Sequence, residues 1–231
     1  MDARRVDALA DTLRAKDFAG ICDRYAGNWG LVDRELRHLC TERCIGHGTF
    51  AVTFPKVVII DEAYNAGLAR TVRNGDVHGF DAQRSVAMWL SGQGRQTIDM
   101  AIASERRAAM TTLEWLQVCL SGHGAVTKGL SILGAEESWP TSFVSKYLHF
   151  HNADYVIYDS VVDERLRTLL AEAWSVKTVR CRVLEPQDCL NYSSAYFGYL
   201  NRFAFFVEAA KQVRQSTFKE LDHFLWKRPE L

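Results

Sequence analysis

Residues 139–166 read WPTSFVSKYLHFHNADYVIYDSVVDERL, which is a helix, a break and the start of a second helix. Pro140 suits a first helical position, where its missing N–H would have had no partner. Phe143, Val144, Tyr147, Leu148 and His151 recur behind it at helical spacing. That stripe predicts one buried face. Lys146, His149 and Phe150 fall off it, so an amine, an imidazole and an aromatic ring are expected together on a second surface, the candidate site. Asn152, Ala153 and Asp154 stop the helix, and residues 155–158 form an apolar run too short for anything but a buried connector. Asp159 and Ser160 then precede an amphipathic stretch, with Asp163 three residues after Ser160 in the manner of a capping box. Asp159 therefore stands at a helix N-terminus. Its role there is either a simple cap or a carboxylate kept ionised by backbone N–H groups and the helix dipole, held opposite the lysine of the preceding helix.

Outward from this segment, helical periodicity dominates. Residues 3–16 carry Val6, Leu9, Ala10 and Leu13 on one face; residues 18–25 add a turn or two; Gly27, Asn28, Trp29 and Gly30 interrupt, with Trp29 expected as an anchor at the core edge. Residues 31–44 resume a helix with Leu36, Leu39 and Cys40 inward. After a loop at 46–54, Pro55 is expected to open a long helix through Arg73. Its stripe is Val57, Ile60, Tyr64 and Leu68, with Asp61, Asn65 and Arg70 along a cleft and the Tyr64 hydroxyl at the cleft floor. Helices are expected at 80–90, 97–109 and 111–120, then a break at Ser121, Gly122, His123 and Gly124 and a short helix at 125–133. Residues 125–170 would thus form a helical hairpin and the Asp159 element. A basic cluster of Lys177, Arg180 and Arg182 reads as a solvated edge. The aromatic helix at 191–215, with Tyr192, Tyr196, Tyr199, Phe203 and Phe206, reads as core, and Ser216 or Thr217 caps a last helix. Strand signals are sparse, so the expected fold is all-α, one compact helical domain over residues 1–231.

Lysine plus arginine and aspartate plus glutamate both total 28, so no strongly positive field announces a polyanionic partner, and any such contact must come from a local groove. Cysteines 22, 40, 44, 119, 181 and 189 are scattered, no stretch reads as a signal peptide, and no apolar run is long enough for a membrane span. A reduced cytoplasmic setting is expected. His38, Cys40, Cys44 and His47 are the closest grouping of metal-ligand types, but their order and spacing fit no common zinc pattern, and no metal or other cofactor is expected.

The segments SFVSKYLHF and VIYDSVV resemble the lysine helix and the aspartate element of the helix-hairpin-helix DNA glycosylases, above all the oxoguanine-glycosylase-like branch. KVVIIDEAYNAGLAR is similar to a helix found with those two elements in bacterial proteins of this kind. Ser142, Phe143 and Val144 stand where the family has a glycine-containing hairpin turn, and Lys146 lies closer to Asp159 than in the oxoguanine enzymes. The resemblance implies a two-lobed helical domain acting on DNA as a monomer. Its activity would be hydrolysis of the N-glycosidic bond of a flipped-out damaged or modified base, in repair or against modified phage DNA. Asp159 would stabilise the oxocarbenium-like sugar or orient water. Lys146 would either attack the sugar, giving lyase activity, or stay charged. His149, Tyr64, Arg70 and Tyr158 would contact base or phosphate. The rival class is a non-catalytic helical module that binds DNA or a protein through the same cleft. An unrelated nuclease lacks a paired-carboxylate metal motif here.

Overall fold

The computed structural model describes residues 1–28, 30–64, 66, 68, 79–131, 141–184 and 193–226. Among these residues the fold is all-α, with no strand. The helices are α1 (Ala3–Ala15), α2 (Phe18–Asn28), α3 (Gly30–His38), a π-helical turn (Leu39–Arg43), α4 (Phe50–Ala63), α5 (Gly79–Ser91) and α6 (Arg95–Ile102). They continue as α7 (Thr112–Ser131), α8 (Thr141–His151), α9 (Ser160–Ala173), α10 (Ser194–Val213) and α11 (Phe218–Trp226). Trp29, His78, Trp139, Pro140, Cys189 and the expected hairpin connector lie outside the described residues.

Local chemistry starts most of these helices. Asp2, Thr49 and Ser193 cap α1, α4 and α10 with side-chain oxygens. Thr111 with Glu114, and Thr217 with Glu220, exchange side-chain and backbone hydrogen bonds as reciprocal capping boxes before α7 and α11. Packing then arranges them. α10 lies along α1, α7 and α9, and its Tyr196, Tyr199, Phe203 and Phe206 are wholly buried core residues. α8 is bordered by α3, the π turn, α4, α6 and α7. Lys177, Arg180 and Arg182 are exposed on an irregular segment, and the Asn201 side chain holds the end of that segment by accepting the Val183 and Leu184 amides at 2.6 and 2.9 Å.

Three expected elements are corrected. The helix expected at 97–109 is α6, which starts at Arg95 and ends at Ile102, with residues 103–111 outside any helix. Residues 112–131 form one helix without a break at Ser121–Gly124, because the small residues there serve packing. A Cβ on Gly122 would lie 2.2 Å from the Tyr155 hydroxyl oxygen, and the His123 ring stacks on Tyr196 at 4.1 Å. α4 starts at Phe50, not Pro55, and ends at Ala63, not Arg73. Pro55 is tolerated inside it at the expense of one amide donor. Asp61 is buried, not cleft-lining: its side chain receives the Leu68 amide at 2.9 Å and Gln83 at 2.8 Å and so steers the chain off the helix.

Trp89 shows how tightly the glycines are used. A Cβ on Gly94 or on Gly129 would lie 2.4 or 2.1 Å from its indole. The ring is confined from both sides. Gly129→Ala is therefore expected to lower stability by about 1–3 kcal/mol, although alanine is the better helix former. A urea midpoint unchanged or raised in that variant would contradict this packing.

Candidate active site

α8 is enclosed, and every residue from Phe143 to Phe150 is buried. Lys146, His149 and Phe150 accordingly do not reach the second surface expected for them. Spacing marks one apolar stripe on a helix, but neighbours packed all round bury the polar positions too, and each polar group must then find a partner inside.

Lys146 finds three. Its Nζ donates to Ser142 Oγ at 2.9 Å, to the Tyr64 carbonyl at 3.2 Å and to Asp159 Oδ2 at 3.2 Å. All three ammonium hydrogens have an acceptor. Asp159 serves two elements at once: Oδ2 meets Lys146, while Oδ1 accepts the Val161 amide at 2.9 Å and caps α9. Asp159, not Ser160, is the cap, since its extended backbone (φ −141°, ψ 135°) is what an N-cap adopts and Ser160 is already helical. Asp163 has a separate task. It receives Arg167 and Arg202, both at under 3 Å, and pins α9 to α10.

Exposure separates the two members of the pair. The Lys146 side chain is 3 % accessible and that of Asp159 16 %, so the carboxylate is the group that reaches toward solvent and the amine lies behind it.

Tyr64 closes the site from the end of α4. Its hydroxyl donates to Asp33 Oδ1, and its ring lies between Phe150, at 5.0 Å, and the Lys219 ammonium, at 4.9 Å. Lys219 pairs with Asp222 at 3.2 Å and approaches Asp33 at 3.8 Å. A buried polar network thus runs from Asp159 through Lys146 and Tyr64 to Lys219, which meets both Asp222 and Asp33. Asp222 is fully enclosed; burial raises its carboxyl from the ordinary range, and the nearby Lys219 and Lys146 oppose that rise.

The remaining candidates fall in different places. Wholly buried His149 donates from Nδ1 to the Tyr155 carbonyl at 2.7 Å, and burial, more than the neighbouring cations, lowers its pKa to about 3. It is a neutral core imidazole tying α8 to the connector. Tyr158 is half-buried beside Asp159; its amide donates to Ser145 Oγ at 2.9 Å, its ring sits edge-on to Tyr199, and burial raises its phenol. Arg70 lies outside the described residues.

The cysteine and histidine grouping disperses. His38 pairs with Glu42, Cys40 is buried, and His47 joins Asp99 at 2.8 Å to the Tyr147 hydroxyl at 2.9 Å. Lys56, wholly buried beside them, donates to the Cys44 and Gly46 carbonyls and closes the end of the π turn. Among the described residues no group of three or more His, Cys, Asp or Glu side chains is placed to hold a metal ion. No described helix is long and apolar enough to cross a membrane.

No family model, no curated protein and no solved structure matches this chain.

The structure brings the expected Lys146, Asp159 and Tyr64 together and joins to them Ser142, Asp33, Lys219 and Asp222, which the sequence reading did not place with them. Ser142 was within reach, since a residue four before Lys146 faces the same side of a helix. The others come from α3 and α11, and nothing local marks them. Removing the cation is expected to be severe. Lys146→Met leaves Asp159 half-buried without its counterion and the Tyr64 carbonyl without its donor. The expected loss is at least about 3 kcal/mol, read as a fall in denaturation midpoint. A midpoint within experimental error of the parent would show that the pair contributes nothing.

Proposed function

We propose that the chain is a DNA glycosylase that hydrolyses the N-glycosidic bond of a flipped-out damaged or modified base, with the two-lobed architecture of the helix-hairpin-helix enzymes. The observation that carries this reading is Asp159. It is a carboxylate at a helix N-terminus, partly open to solvent, with an ammonium fixed behind it, on the two segments whose sequence resembles the lysine and aspartate elements of that family. Such a group suits a reaction in which positive charge grows on deoxyribose as the base leaves, because a preorganised anion stabilises that charge without reorganising. Tyr158, next to Asp159 in the chain, and Tyr64, whose carbonyl meets Lys146, are the aromatic residues assigned to the nucleotide. With equal numbers of acidic and basic residues, DNA contact falls to local groups and calls for flipping of a weakened or enlarged base, not tight general binding. Excision of modified bases from phage DNA, as a defence, is the selective form of this activity.

The alternative, a non-catalytic helical module, draws support from one feature: every hydrogen of Lys146 and both oxygens of Asp159 are used in holding helices together. The two readings separate on duplexes carrying oxidised, alkylated, deaminated or phage-type modified bases, scored for free base and for alkali-labile sites. Release of one class of base supports the glycosylase. Binding without release from any duplex supports the module.

A further inference from the structure

The position of Lys146 between two helix ends decides what kind of group it is. Its Nζ sits on the carbonyl of Tyr64, the C-cap of α4, where the helix dipole presents partial negative charge. Its carboxylate partner sits on the first amides of α9, where the dipole presents partial positive charge. The pair is thus seated between the C-terminal end of one helix and the N-terminal end of another. Ser142 Oγ takes the third hydrogen, which leaves no lone pair and no unused direction on the nitrogen. Asp222, buried and held through Lys219 on the far side of Tyr64, adds a second carboxyl to the surroundings of the same cation. The 3 % accessible side chain stands behind Asp159, so an incoming sugar carbon meets the carboxylate first.

We infer that Lys146 is a positioning residue, a fixed cation that aims Asp159, and that the chain is a monofunctional glycosylase whose reaction stops at base release. The inference rests on the glycosylase reading of the site. In this reaction water supplies the hydroxyl that joins the sugar carbon as the bond to the base nitrogen breaks, and the proton goes to solvent or to the leaving base. No covalent bond to Lys146 forms, and the phosphodiester backbone stays whole. For Lys146 to act as a nucleophile it would have to give up a proton and abandon the Tyr64, Ser142 and Asp159 contacts together.

Four measurements on the full chain test this. On duplexes with modified bases, strands should stay intact until alkali is added. Lys146→Arg, which keeps the positive charge, should restore at least about 10-fold of the base release lost in Lys146→Ala, whereas an amine nucleophile would leave both variants equally inactive. On a duplex with a preformed aldehydic abasic site, borohydride should trap no protein adduct, and an adduct that disappears in either variant overturns the proposal. If the arginine variant does not fold or no duplex reacts, acylation of the wild-type chain by a small anhydride still decides. Lys146 should react at least about 10-fold more slowly than exposed Lys128 and Lys177, and equal reactivity overturns the proposal. Absence of base release from every duplex, with Lys146 protected, would remove the glycosylase reading and leave the fixed cation standing.

Discussion

On the proposed glycosylase reading, Asp159→Asn is expected to lower base release by about 10³-fold or more, because the preorganised negative charge is the largest single contribution such a site can make to an oxocarbenium-like transition state. The substitution is informative because it separates the two tasks of the residue. Asparagine caps a helix as well as aspartate, so the bond from the Val161 amide to Oδ1 has a ready replacement and α9 still starts in place. What disappears is the charge opposite Lys146. A buried ammonium then faces a neutral amide, and the variant is also expected to be less stable by a few kcal/mol, on the order of the cost of breaking a buried pair. Activity must therefore be compared at a temperature where circular dichroism shows both proteins folded. A folded Asp159→Asn protein that releases base at the parental rate would remove Asp159 from the chemistry and reduce it to a cap.

The second large effect is acid sensitivity. His47, His123 and His149 are wholly buried, and desolvation lowers their pKa values to about 4, about 4 and about 3; His151 is moved in the same direction, again by burial. Each folded value lies below the unfolded one of about 6.5. The unfolded chain therefore takes up these protons first as pH falls. The stability that neutral histidines contribute is complete above about pH 6.5 and is lost between there and the folded values near 4. At pH 5 each of the three has lost about 2 kcal/mol, together about 6 kcal/mol, which is comparable to the whole stability of an ordinary domain. Asp222 acts in the opposite sense, since its raised carboxyl gains a proton more readily folded than unfolded, and it offsets part of the loss. The expected result is cooperative unfolding between about pH 4 and 5.5, followed by far-ultraviolet circular dichroism and by urea midpoints at stepped pH. His123→Asn should reduce the slope of stability against pH by about 1.4 kcal/mol per unit over this range. A urea midpoint constant from pH 7 to 4 would mean that these imidazoles are not buried in neutral form.

The two predictions bear on one structural fact: polar groups that look peripheral along the chain are enclosed in the fold. His149 was expected beside Lys146 on an open face and is a core residue instead. The four-residue spacing that identified the apolar side of α8 says which residues share a face but not how many faces are covered. Similarly, Ser121, Gly122, His123 and Gly124 carry the composition of a helix break, and only the Tyr155 hydroxyl and the Tyr196 ring pressed against them make continuous helix the better solution.

What the sequence determined by itself was local. Short-range physics placed α1 by its apolar face and α9 and α11 by both cap and apolar face; it put Lys146 on one helix and Asp159 at the mouth of the next, because capping and periodicity act over a few residues. The early start and early end of α4, the enclosure of α8, the seating of Lys146 on the Tyr64 carbonyl and the arrival of Asp33, Lys219 and Asp222 were decided by the tertiary structure alone. Those contacts join α3, α4, α8 and α11 across long stretches of chain. Burial and charge pairing at such separations leave no periodic trace in the sequence, since their free energy depends on which helices pack together and not on what lies within a turn of each residue.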